Sequence, residues 1–126
     1  MSSRDPAIRA KLLQSCPNIC FICGYNKKDS DGNPLLDGAH IDDNAKNDAN
    51  DHIRNMILLC PNHHREYDRG IIDFDKNGVI YTLDPTSPEN GKTMAYYPVY
   101  IPPGTIEYHN QKKYKGTIMI DSRINR

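Results

Sequence analysis

The sequence has no apolar run of about 18 residues, which is the length that a membrane-spanning helix needs. Residues 1–11 are charged, so the apolar segment of a secretory signal peptide is also missing. We therefore expect a cytoplasmic protein with no membrane partner.

Hydrophobic residues are scarce as well, at 37% of the 126 positions. A chain of this length predicts a single domain, residues 1–126, with a modest core. A small polar domain gains from a structural metal. Four cysteines in a reducing compartment are more typical of metal ligands or free thiols than of disulfides.

The formal net charge is zero, but the charges are unevenly distributed. Residues 1–28 carry five Lys/Arg and one Asp, residues 29–83 carry five basic and eleven acidic side chains, and residues 84–126 carry six and four. An acidic centre between basic ends fits a hard-cation site beside surfaces that meet a polyanion. An unevenly charged solvated surface would explain the same counts.

Two pairs of metal-ligating residues share an x2 spacing: Cys20 with Cys23, and Cys60 with His63. Three thiolates and one imidazole form the closed tetrahedral centre that structural Zn²⁺ prefers. Cys16 could replace Cys20 in principle, but Cys20 and Cys23, followed by Gly24, better match the tight turn of a zinc knuckle. Outside the centre, Cys16 needs no role beyond that of a small buried residue.

The residue patterns predict an α+β fold. Pro61 suits a first helical turn, Gly70 suits the position just past a helix, and residues 75–78 form a turn signal. The predicted elements are a helix at 6–15, strands at 35–41 and 53–59, a helix between Pro61 and Gly70, and a hairpin at 71–82.

The C-terminal extension, about residues 84–126, is predicted to be rich in β-structure. Its apolar stretches at 94–101 and 117–120 alternate in the manner of strands around a Pro-Pro-Gly break. This extension is also a candidate homodimer interface.

Within the helix that starts at Pro61, His64 and Asp68 stand at i and i+4 and share one face. His63 lies about one hundred degrees around the helix from His64. The two adjacent histidines could therefore serve two different metals.

These residues carry a resemblance to a known family. Gly38-Ala39-His40-Ile41, followed by the segment from Arg54 to Gly70 with Asn55, Cys60, His63 and His64, resembles an HNH endonuclease of the zinc-containing, restriction-like kind. The resemblance covers residues 20–74. It implies a ββα-metal (His-Me finger) core at about residues 16–83, stapled by the Cys3His zinc site.

The resemblance also implies residue roles. His40 would be the general base, Asn55 would hold that base and its loop through hydrogen bonds, and His64 would bind the catalytic Mg²⁺ or Mn²⁺. Asp68 would be a second ligand or near-ligand. The implied reaction is hydrolysis of DNA phosphodiester bonds around a single divalent cation.

One position departs from the family pattern. Many members have Asp or His just before the base, as a metal ligand, and this chain has Ala39. Asp37, Asp42 or Asp43 could supply the missing ligand, as could water and phosphate oxygens. A degenerate site that no longer cleaves is the alternative.

Several basic residues could contact phosphates. The C-terminal group is interleaved with aromatic rings, in a stretch where His109 is expected at the surface or on a phosphate. The candidates are Arg54, Arg65 and Arg69 near the site, and Lys112, Lys113 and Lys115 in the extension.

Three functions remain in competition at this point. The first is a metal-dependent HNH endonuclease acting on DNA, in restriction or defence, with RNA not excluded. The second is a nucleic-acid-binding zinc module with a degenerate nuclease site, and the third is a structural zinc domain that binds protein. Metal-dependent cleavage distinguishes the first from the others.

Overall fold

The computed structural model describes residues 6–42 and 53–118. Helix α1, Pro6–Ser15, has the predicted bounds and packs against two strands, β1 (Asp37–His40) and β2 (Met56–Leu59). Leu12 of α1 is fully buried. Arg9 donates hydrogen bonds to the carbonyl oxygens of Leu36 (2.8 Å) and Pro34 (3.0 Å). These bonds fix the chain just before β1.

Strands β1 and β2 form an antiparallel pair with Asp37 opposite Leu59 and His40 opposite Met56. All four residues of β2 are buried, as its apolar sequence predicts. The second predicted strand is too long at its start, because residues 53–55 form a 3-10 turn. There the buried Asn55 bonds to the backbone of Asp42 instead of extending the strand. Most of the connection between the two strands, residues 43–52, lies outside the described residues.

Helix α2, Pro61–Asp68, follows β2 directly and packs against β1 and β2. Its N-cap is Cys60, whose Sγ accepts a hydrogen bond from the backbone N–H of His63. Past its end, Gly70 has a φ of 75°, the left-handed conformation that glycine adopts without strain. The helix and the order strand, strand, helix are as predicted.

The predicted hairpin is confirmed as strands β3 (Ile72–Phe74) and β4 (Ile80–Thr82), which pair antiparallel. In the connecting turn, Asp75 Oδ1 accepts hydrogen bonds from the backbone N–H groups of Asn77 (2.9 Å) and Val79 (3.1 Å). The short polar side chain therefore builds the turn, as such residues commonly do.

The prediction of a β-rich extension is wrong for the described residues. Residues 94–101 form bends, a turn and irregular structure, and the chain from Pro103 to Lys112 is helix α3. Pro103 stands in the first turn, where a missing N–H costs nothing, so the Pro-Pro-Gly sequence begins a helix rather than separating strands. Residues 117–118 are not in a strand, and 119–120 lie outside the described residues.

His109 is buried at 3% exposure, so its predicted surface position is also wrong. Its Nδ1 lies 2.8 Å from Oδ2 of Asp73, which also accepts a hydrogen bond from Asn110. The imidazole stacks on Tyr67 of α2 with ring centroids 3.9 Å apart. Helix α3 is thereby attached to both β3 and α2 through buried polar groups.

One cluster of buried side chains extends from Leu12 in α1 to Ile106 in α3. The HNH-like segment and the extension therefore share a core. Among the helices of the described residues, none has the length and apolar character needed to cross a bilayer.

Candidate active site and metal centre

Cys20, Cys23, Cys60 and His63 meet at one point, with their ligand atoms within 4.8 Å of one another. The Cys23 and Cys60 sulfurs are 4.0 Å apart, and His63 Nδ1 lies 3.4 Å from Cys60 Sγ and 3.7 Å from Cys20 Sγ. Ligands about 2.3 Å from a tetrahedral ion lie roughly 3.8 Å from each other. The separations therefore fit a metal, and all four cysteines of the chain are free thiols.

Local backbone structure presents these ligands. Cys20 and Cys23 belong to a tight turn that closes with a 2.8 Å hydrogen bond from Gly24 N–H to the Cys20 carbonyl. Phe21 within that turn donates its N–H to Leu58 of β2, which places the turn against the start of α2. Cys60 and His63 occupy the first turn of α2, where the helix dipole favours a thiolate.

The four side chains of the cluster shift one another's pKa values. Burial would raise the pKa of Cys20, but hydrogen bonds from His63 and from backbone N–H groups lower it to about 7. Burial raises the pKa of Cys60, and that of Cys23 to about 11. The hydrogen bond with Cys20, followed by that with Glu89, raises the pKa of His63 to about 10. Metal binding must displace these protons.

His64 lies in a separate surface cleft of ≈ 420 Å³. Its Nδ1 is 2.9 Å from Oδ2 of Asp37 on β1, and its Nε2 is 3.2 Å from Oδ2 of Asp68. Hydrogen bonds with Asp68 and then Asp37 raise the pKa of His64 despite its burial. The residues that line the cleft are Asp37, Pro61, His64, Arg65, Asp68 and Arg69.

The two ring nitrogens of His64 point away from each other, so one cation can be bound by only one of them. Nε2 and Asp68 face the same point and could share a cation. Asp37 instead holds Nδ1, which is how carboxylates commonly orient a metal-binding histidine. Asp37 also lies on the same face of β1 as Ala39, because side chains on a strand alternate.

His40 is the last residue of β1 and lies three residues from Asp37, roughly 10 Å along the strand. The structure therefore brings Asp37, His64 and Asp68 together and leaves His40 at the opposite end of β1. Asn55 lies at that opposite end. Its side chain accepts from Asp42 N–H (2.8 Å) and donates to the Asp42 carbonyl (2.9 Å), and its own carbonyl accepts from Ile41 N–H (3.0 Å). Asp43 lies outside the described residues.

The basic candidates divide between these regions. Arg65 and Arg69 are exposed in the cleft beside His64, whereas Arg54 precedes Asn55 near the end of β1. Lys115 N–H donates a 2.8 Å hydrogen bond to the carbonyl of Gly70, so this part of the extension lies next to the end of α2. Lys112 is the last residue of α3 and Lys113 is its C-cap.

Sequence reasoning missed Glu89, whose Oε2 is hydrogen-bonded to Nε2 of His63. It belongs to the loop after β4 and forms no sequence motif with the Cys20/Cys23 and Cys60/His63 pairs. No sequence signal links it to a histidine 26 positions earlier.

The family model for HNH endonucleases matches residues 20–75, which include both cysteine–histidine half-sites, β1, β2 and α2. This segment is therefore similar to HNH endonucleases. The match ends before Glu89 and before α3.

Two proteins that are similar to this chain are named as restriction enzymes. The type IV methyl-directed restriction enzyme EcoKMcrA of Escherichia coli (strain K12) is 42% identical over 65 residues, which is 50% of this chain and 23% of the relative. The solved structure of the modification dependent TagI restriction endonuclease matches 90% of this chain and 39% of that one, with a TM-score of 0.69 and 22% identity. At that identity the likeness shows the fold. The chain spans less than half the length of either relative.

Proposed function

We propose that this protein is an endonuclease that hydrolyses DNA phosphodiester bonds in the cleft between β1 and α2. The proposal depends on the surroundings of His64. Its Nε2 lies 3.2 Å from the carboxylate of Asp68, and two exposed arginines line the same cleft. An imidazole and a carboxylate supply ligands for a divalent cation, and the arginines supply contacts for phosphate oxygens. β1, β2 and α2 would then form a ββα-metal motif.

The Cys3His centre would hold a structural Zn²⁺. Its four ligands complete a tetrahedron, so no position remains for water or substrate, and three of them are buried. Zinc at this point would join the Cys20–Cys23 turn to the first turn of α2. Its role is to stabilise the fold that supports the cleft.

In the cleft, His64 Nε2 and Asp68 would hold Mg²⁺ or Mn²⁺, with water and phosphate oxygens as the remaining ligands. When bound, such a cation stabilises negative charge on the phosphate and on the leaving 3′ oxygen. Asp37 would keep Nδ1 of His64 protonated and the ring in a fixed orientation. We therefore propose that Asp37 orients His64 and does not bind the cation. No protein side chain would then replace the ligand that is missing at Ala39.

His40 would take the proton from the attacking water, a role that histidine fills more often than any other side chain. Asn55 supports this assignment, because its paired hydrogen bonds with Asp42 fix the backbone two residues after His40. The water that His40 activates would lie between its imidazole and the phosphate held at the cation.

DNA would cross the cleft along its basic residues. Arg65 and Arg69 lie beside the proposed cation, and Lys115 lies beyond them at the end of α2. Arg54, Lys112 and Lys113 are proposed as additional phosphate contacts. Because both relatives are named as restriction enzymes directed by modification, we propose a restriction role for this nuclease as well.

A nucleic-acid-binding zinc module with a degenerate site is the second candidate, and Ala39 favours it. Its methyl group is fully buried where many family members have a metal ligand. Such a module would bind DNA in a salt-sensitive manner without cutting it.

Cleavage of supercoiled plasmid with Mg²⁺, Mn²⁺ or EDTA tests the proposal, with His40→Ala prepared in parallel at equal zinc content. We expect cation-dependent cutting that the substitution reduces by at least about a hundredfold. If neither protein cuts plasmid, single-stranded DNA or RNA while both retain zinc, the nuclease proposal is refuted and the nucleic-acid-binding zinc module takes its place.

A further inference from the structure

We propose that Glu89, which lies outside the HNH segment, is a positioning residue of the zinc centre. Its carboxylate accepts a hydrogen bond from Nε2–H of His63 and so directs Nδ1 of that histidine to the metal. This inference rests on the Cys3His zinc site proposed above.

The geometry of the imidazole supports different roles for the two ring nitrogens of His63. Nδ1 of His63 faces the thiol sulfurs of Cys20 and Cys60, at 3.7 and 3.4 Å. Nε2, on the other side of the ring, faces Oε2 of Glu89. Only Nδ1 can therefore complete the Cys3His set, and Nε2 is the nitrogen that must carry the proton. A carboxylate partner fixes that tautomer.

The loop that carries Glu89 is held in place by local hydrogen bonds. Thr82 N–H donates to Asn90 Oδ1 (2.9 Å), and Gly91 N–H donates to the carbonyl of Ile80 (2.7 Å). The two residues that follow Glu89 are therefore attached to the two ends of β4. Glu89 N–H itself donates to Ser87 Oγ at 3.4 Å. The carboxylate is thus presented to His63 by a loop with its own structure.

Glu66 offers a competing arrangement. Its carboxylate, Nε2 of His63 and the Glu89 carboxylate also lie within 4.8 Å of one another, so these three could hold a cation on the other side of the ring. In that arrangement both carboxylates would be ligands and would matter equally. In the arrangement we propose, only Glu89 affects zinc, and Glu66 provides the matched control.

The test is zinc affinity, measured by competition with a chromophoric chelator, for the wild-type chain, Glu89→Gln and Glu66→Gln. We expect Glu89→Gln to weaken zinc binding about tenfold to a hundredfold, because removing the partner of a metal-binding histidine typically costs that much. Glu66→Gln should stay within about threefold of wild type, and Glu89→Asp should recover part of the loss. Thermal melts of the zinc-loaded proteins verify that each variant is folded.

Long-range proton–nitrogen spectra of the zinc-loaded wild type provide a readout that needs no substitution. They should show His63 metal-bound through Nδ1 and protonated at Nε2. Unchanged zinc affinity in Glu89→Gln, equal losses in Glu89→Gln and Glu66→Gln, or a metal-bound Nε2 would each overturn the inference while leaving the nuclease proposal intact. A wild-type chain that binds no zinc would overturn the zinc centre as well.

Discussion

His63 and His64 are neighbours in the chain, yet they use their rings in opposite ways. His63 turns Nδ1 to the cysteines and Nε2 to Glu89, whereas His64 turns Nδ1 to Asp37 and Nε2 to Asp68. In each case, a carboxylate from another element contacts one nitrogen, and the other nitrogen faces the residues that we propose as metal ligands. The comparison shows that a histidine's partner, rather than its position in a motif, decides which nitrogen is available.

The surroundings of the two histidines also differ. His63 is 7% exposed among thiols, and His64 is half-buried in a cleft whose two carboxylates are about half exposed. Soft, buried thiolates select Zn²⁺, and hard, hydrated carboxylates suit Mg²⁺ or Mn²⁺. One turn of α2 can therefore support both the fold and the chemistry.

The largest expected effect is the loss of thermal stability when zinc is removed from the Cys3His centre. Stripping zinc with a strong chelator, or replacing Cys60 with Ser, should abolish the cooperative thermal transition. Structural zinc contributes about 10–16 kcal/mol in small domains, which is comparable to the whole stability of this size of fold. Circular dichroism melts with parallel zinc analysis measure this. A zinc-free chain that melts with an unchanged transition would refute a structural centre.

A smaller effect is expected on the His64 side. Asp37→Asn should weaken Mn²⁺ binding and plasmid cleavage about tenfold, because the neutral amide orients the ring less strongly. Zinc content should not change. Asp31→Asn removes an exposed carboxylate from the loop before β1 and is the matched control. Equal effects of the two substitutions would indicate that only net charge matters.

The smallest effect concerns the basic edge of the cleft. Arg69→Ala should weaken DNA binding several-fold and reduce the slope of log affinity against log salt by about 0.9, the contribution of one phosphate contact. Lys76→Ala removes a cation that is paired with Glu107 at 3.2 Å and should leave the slope unchanged. Titrations across a range of salt concentrations give both slopes. Loss of affinity without a change in slope would remove Arg69 from the phosphate contacts.

Local patterns in the sequence were sufficient for much of the fold. The cysteine–histidine spacings, Pro61 at a helix start and the turn at Asp75 each depend on neighbours in the chain, and each is found as predicted. The extension was misjudged because Pro103 can end one element or begin another. The buried contacts of Ile106 and His109 favour the helix, and sequence does not reveal them.

The site shows the same limit. His64 and Asp68 could be paired from helix geometry, since they belong to one element. Asp37 was only one of three carboxylates that the sequence offered in place of the ligand missing at Ala39. Glu89 was not among the candidate site residues. Both contacts depend on how separate elements pack, and packing across 26 or 27 residues leaves no local pattern.

Metal binding by His63→Cys and His64→Ala is the most decisive test of whether the adjacent histidines serve two separate metals. Zinc would be measured by elemental analysis and Mn²⁺ by electron paramagnetic resonance. We predict that His63→Cys keeps zinc in a centre of four thiolates and still binds Mn²⁺. His64→Ala should keep one zinc and lose the Mn²⁺ site. Loss of zinc from His64→Ala, or wild-type Mn²⁺ binding by that variant, would contradict the account.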